Sequence, residues 1–120
     1  MAFGSTFQND LTKLVFNGTA IANMADNAAA APSTNLWLSL HTADPVGGTQ
    51  GTNEVGFAAY TRVAVARTST GFSVTSNIAS LNINVDFPTL TSTSTGTATH
   101  AGIGLSSAIA GGKLITSGTI

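Results

Sequence analysis

The chain has 120 residues, with four Lys or Arg against five Asp or Glu, a net charge of −1 and only 8% charged positions, about a third of the roughly 25% usual for soluble domains. Four scattered cations leave no electrostatic footprint for DNA or RNA, and the absence of Cys excludes disulfide frameworks and thiolate metal sites. Leu, Ile, Val and Phe fill 29 of the 120 positions, above the ~20% below which a chain reads as disordered. The expectation is one folded domain over residues 1–120, soluble and unsecreted, since the start lacks a signal-peptide pattern and no apolar run reaches membrane length. Ser and Thr together hold 31 positions and Ala 18. The surface is therefore neutral and hydroxyl-rich, and the core is thin.

In chain order, Met1–Phe7 reads as an N-terminal arm. Phe7, Leu11, Leu14 and Val15 fall at i, i+4, i+7 and i+8, which predicts an amphipathic helix over 8–17, capped by Asn9 or Asp10 and ended by Asn17-Gly18. The Ala-rich stretch from 19 to 34 reads as a connector closed by Pro32. From Asn35 the period becomes two, with Leu36, Leu38 and Leu40 opposite Trp37, Ser39 and His41, the pattern of a strand. Asp44-Pro45 is a turn signal, and the four glycines between 46 and 57 mark a long loop. Tyr60 to Ala66 reads as the next strand, followed by a polar stretch from Thr68 to Ser80. Leu81, Ile83, Val85 and Phe87 read as another strand, stopped by Pro88. Thr89–Thr99 is an apolar-poor Thr/Ser tract, expected as an exposed loop or edge. Ala101, Ile103 and Leu105 alternate again, and Gly111-Gly112 between Ile109 and Leu114 reads as a hairpin turn. One short N-terminal helix and five to seven strands predict a mainly β fold, an antiparallel sandwich or small barrel spanning 35–120.

The ionisable inventory is too sparse to suggest catalysis. His41-x-x-Asp44 with Glu54 and His100 is the one constellation that could assemble a metal site or a general base. The plainer reading has both histidines bonded to neighbours on strand faces and Asp44 capping its turn. No Ser lies in a G-x-S-x-G elbow, and Gly102-Ile103-Gly104 lacks the third glycine and helix of a dinucleotide site, so it reads as close strand packing. Glu54 and Arg62 are the expected ion pair. On the surface such a pair contributes under about 1 kcal/mol and serves register more than stability. No enzyme activity, cofactor or metal is expected.

The run Leu36-Trp37-Leu38-Ser39-Leu40-His41-Thr42-Ala43-Asp44-Pro45, then Gly51-Thr52-Asn53-Glu54-Val55 and Tyr60-Thr61-Arg62, resembles a group of small tailed-bacteriophage virion proteins. Leu11–Thr19, Val85-Asp86-Phe87-Pro88, Gly96–Ile103 and Ala110–Leu114 extend the likeness over most of the chain. Members are often labelled tail-fibre proteins, and some resemble head decoration or cement proteins. The Ala-rich stretch from Ala20 to Pro32 is longer than usual in the group, and Gly56-Phe57-Ala58-Ala59 is less Gly-rich.

The resemblance implies a structural virion protein. The first expectation is a capsid decoration protein that binds the major capsid protein on the outside of the shell and associates with itself, a trimer suiting the local three-fold positions of an icosahedral lattice. The alternative is a tail-associated or fibre-anchoring module. A third reading is a carbohydrate-binding or hydrolytic domain using Trp37, Tyr60, His41 and Asp44. Nucleic acid and membrane are not expected partners. Three segments carry too little apolar anchoring to order alone: the arm, the loop from Val46 to Phe57 and the Thr/Ser tract. The expected contact residues are Phe3, Phe7, Val46, Glu54, Val55, Phe57, Leu90, Thr93 and Thr95.

Overall fold

A computed structural model describes residues 3–21, 32–89 and 96–120. The fold is mainly β, as expected: one N-terminal helix and six strands in two antiparallel sheets. The elements are α1 (Ser5–Asn17), β1 (Asn35–His41), β2 (Val63–Ala66), β3 (Phe72–Thr75), β4 (Ile78–Leu81), β5 (His100–Gly104) and β6 (Leu114–Thr119). The chain divides into two compact units, one holding residues 1–35 and 66–84 and the other 36–65 and 85–120.

In the first unit, α1 packs on the β3–β4 hairpin. The helix starts at Ser5, three residues before the expected 8–17, so Ser5, Thr6 and Phe7 leave the arm and become its first turn. Gly4 is the N-cap and supplies no side-chain bond, while Asn9, expected as a cap, accepts instead from the Asn77 N–H at 3.3 Å. Gly18 closes the helix in the left-handed region at φ 65°, where a glycine carries no Cβ penalty. The last carbonyls are satisfied from a distance. Arg67 Nε donates to Val15 O at 2.7 Å, and its Nη2 donates to Leu14 O, which places a cation at the negative end of the helix dipole. Ser76 and Asn77 both take positive φ, 48° and 61°, and join β3 to β4 as a two-residue turn. Such turns match the twist of their strands. This hairpin lies almost wholly in the polar stretch from Thr68 to Ser80 and ends at Leu81. The strand expected over Leu81–Phe87 is correspondingly absent, since β4 ends at Leu81 and residues 82–89 are irregular. Phe72, 1% exposed, packs edge-on against Phe16 with centroids 5.2 Å apart.

The second unit is built on the four-stranded sheet, in the order β2-β1-β5-β6. In β1, Leu36 and Leu38 are buried as the alternation predicts, and with Val55, Tyr60 and Val65 they form an apolar core. The opposite face is buried too, because Ser39 and His41 are both at 0% exposure. The register explains how polar side chains fit there: Ser39 pairs with Gly102 and Trp37 with Gly104. A Cβ at Gly102 would lie 2.7 Å from His41 Nε2, and one at Gly104 would lie 2.2 Å from Gln50 Oε1 and 2.6 Å from Lys113 O. The two glycines of β5 thus form a trough that receives His41, Ser39 and Gln50. Ile109 lies in the irregular connection between β5 and β6, which runs from Leu105 to Lys113, so Gly111-Gly112 is part of a longer loop and not a two-residue turn. Ala110 and Gly112 take the positive φ values there, 68° and 97°.

Gly104→Ala should cost about 1–3 kcal/mol in chemical denaturation, because its methyl meets backbone as well as Gln50. Gly118→Ala, where a Cβ meets nothing within 4 Å, is the matched control and should change little.

Candidate interface

The loop between β1 and β2 is fixed by one carboxylate. Glu54 pairs with His41 as an isolated bridge, which sets its backbone beside the sheet. Its side chain then turns inward and meets Arg62 at 2.7 Å, both side chains being almost wholly buried. Oε1 accepts from Arg62 Nε at 2.7 Å and from the Tyr60 hydroxyl at 2.9 Å; Oε2 accepts from Arg62 Nη2 at 2.7 Å and from the Ala110 N–H at 3.3 Å. Every lone pair of the carboxylate is used, and the guanidinium is held in the two-pronged geometry that gives the strongest ion pairs. Arg62 spends its remaining arm on Ser106 O at 2.9 Å, and the Tyr60 oxygen accepts from the Leu40 N–H at 3.0 Å.

The expected ion pair is present, and it is an interior one. In that setting the loss of one partner strands the other charge without water, at a cost of about 3–5 kcal/mol. Burial by itself raises the Glu54 pKa, but the bonds from Arg62, Tyr60 and Ala110 outweigh it and hold the carboxyl below its ordinary value. Burial, reinforced by the adjacent Glu54 carboxylate, pushes the Tyr60 phenol above its usual range despite the Leu40 bond.

Two further side chains tie the loop down. Gln50 is fully buried, donating through Nε2 to Trp37 O at 2.8 Å and accepting at Oε1 from the Ser106 N–H at 3.2 Å, while its own N–H donates to Gly112 O at 2.9 Å. His41 Nδ1 lies 2.9 Å from Thr52 O, a group that only accepts, so Nδ1 carries a proton and donates there, while Nε2 lies 2.9 Å from Ser39 Oγ. The loop was expected to carry too little apolar anchoring to order alone; Val55 enters the core, and polar bonds from Glu54, Gln50 and His41 supply the rest.

The potential chemistry of His41, Asp44, Glu54 and His100 is divided among separate partners. His100 Nδ1 bonds Thr99 Oγ1 at 2.8 Å. Asp44 Oδ1 accepts from Ser117 Oγ at 2.8 Å and from the Val46 N–H at 3.0 Å, and these bonds hold its carboxyl below the ordinary range. Among the described residues no three His, Asp or Glu side chains gather as a metal-ligand set. Tyr60, proposed for sugar stacking, is 6% exposed and lies nearly parallel to Phe87 at 6.1 Å.

The expected contact residues separate by exposure. Val46 stands out at 72% exposed and Phe3 at 64%, with Phe7 half-buried and edge-on to Phe3 at 5.2 Å. Phe57 is half-buried. Glu54 and Val55 point inward, Val55 being 2% exposed, so they shape the loop from within and offer no side chain to a partner. Leu90, Thr93 and Thr95 lie outside the described residues. Arg67, Gln50 and the Ala110 amide are the positioning groups that sequence reasoning did not single out. Among the described residues no helix is long and apolar enough to cross a membrane.

Glu54→Gln should lower stability by about 3–5 kcal/mol at neutral pH. The pH dependence follows from the sign of the shift: a lowered native pKa contributes stability above the ordinary carboxylate range, and this is lost as pH falls through the native value. Wild-type stability should therefore drop below pH about 4.5, and denaturation curves of the Gln variant should fall less steeply across the same interval.

The family model described as Podophage GP4 fiber I protein gp80 matches residues 3–120. Among curated proteins no match is found.

Proposed function

Because the chain belongs to the Podophage GP4 fiber I protein gp80 family, we propose that this bacteriophage structural protein is a tail-associated, fibre-anchoring module. The family match carries the reading. It spans residues 3–120, so the whole mainly β fold belongs to the likeness. The resemblance noted in the sequence puts head decoration first; the family description favours the fibre.

The build suits an anchoring role. A fibre shaft uses long repetitive segments, and these residues carry no internal repeat of that kind. The chain acts by binding, without catalysis or cofactor, and its partners are other tail or fibre proteins and further copies of itself. The segment around Val46, stiffened from below by Glu54, Gln50 and His41, presents an exposed apolar side chain on a prepared loop. Preorganisation of this kind reduces the ordering cost of binding.

Gold-labelled antibody against the chain, applied to intact virions, should mark the tail. Quantitative proteomics of the same particles should give a copy number far below that of the major capsid protein. Label distributed over the head, with copies comparable to the capsid subunits, would overturn the fibre assignment in favour of decoration.

A further inference from the structure

The four-stranded sheet has two edges, and they differ. β2 is only four residues long and sits between Arg62 and Arg67, the kind of short, charge-flanked edge that resists pairing. β6 runs six residues, Leu114 to Thr119, without a charge or a proline. Ile120 N–H donates to Thr99 O, and the register joins Ala101 to Gly118 and Ile103 to Thr116. By the alternation of an antiparallel ladder, Gly118 and Thr116 direct their backbone groups to β5, while those of Ser117 and Thr119 face away. No described residue bonds these outward N–H and C=O groups.

We propose that the free edge of β6 is a self-association site, at which two copies of the chain pair antiparallel about a two-fold axis at Gly118. The register follows from charge. Asp44 holds the Ser117 hydroxyl, so placing Ser117 opposite its own copy would bring two carboxylates together, an unfavourable cross-strand pair. Centring on Gly118 sets Ser117 opposite the partner copy's Thr119, each donating and accepting once. It also sets Ile120, 70% exposed, opposite the partner copy's Thr116. That β-branched pair covers an apolar side chain otherwise left in water. The two Gly118 residues meet at the close position with no side chains to collide, and the net charge of −1 per chain gives little repulsion. The contact joins copies in pairs and not in threes, and it holds whether the protein sits at the tail or on the head.

The chain has no cysteine, so a single introduced one reports the contact. Gly118 has an ordinary φ and open space for a Cβ, and opposed residues of that type lie within disulfide reach. Purified Gly118→Cys should oxidise to a covalent dimer, whereas Ser107→Cys, exposed in the β5–β6 connection, should not. In sedimentation, the wild type should dimerise with rising concentration. Thr119→Pro removes an N–H that faces away from β5, which an edge strand tolerates, and should weaken dimerisation at least about tenfold with circular dichroism unchanged. A wild type that stays monomeric, an oligomer indifferent to Thr119→Pro, or crosslinking at Gly118 no faster than at Ser107 would each overturn the proposal.

Discussion

A carboxylate taken out of water must have its lone pairs filled, and in the sheet-bearing unit Glu54 imposes that requirement on segments far apart in sequence. Arg62 and Tyr60 come from the run into β2, and Ala110 comes from the connection between β5 and β6. The guanidinium then reaches Ser106 and the phenol reaches Leu40. Two long irregular segments are thereby fixed to the sheet by one charge. The same desolvation that makes the pair costly to form makes it costly to break, so the arrangement specifies the loop more than it adds net stability.

This polar anchoring also accounts for a composition that looks poor in core material. One face of the sheet buries leucine in the ordinary way, but the other buries Ser39, His41 and Gln50 in space left by Gly102 and Gly104. Glycine costs strand stability through chain entropy. Here that loss is offset by bonds that hold a loop of a dozen residues in which Val55 is the one apolar side chain in the core. A chain with few charges uses three of them, Glu54, Arg62 and Arg67, in structural roles, the first two at the loop and the third at the carbonyl end of α1.

Periodicity was a good guide where one face of an element is apolar, as in β1 and β2, and the turn chemistry of Asp44 and Gly18 showed in the sequence because each acts locally. It failed at β3 and β4. Their turn is Ser76-Asn77, without the glycine that usually marks a tight hairpin, and Ile78 and Leu81 are exposed, so no buried alternation marks β4. The Glu54–Arg62 pairing was visible, but its burial was not. Burial depends on Ala110 and Ser106, more than forty residues away, and spacing along the chain carries no information about them. The same reason hid Gln50, whose partners are backbone groups on β1 and on the β5–β6 connection.

Membership in this family makes the chain a phage structural protein, and its loop around Val46 is organised from within by buried polar side chains. The central physical claim is that the coupling of the two irregular segments depends on the Glu54 carboxylate, with the Gln50 bonds to Ser106 and Gly112 secondary to it. Hydrogen exchange on Glu54→Gln at neutral pH tests this most directly. The account predicts that the amides of Gln50, Ser106 and Ala110 lose protection together while the β3–β4 hairpin and α1 keep theirs. Unchanged protection at Ser106 and Ala110, with loss confined to the loop that carries Glu54, would contradict it.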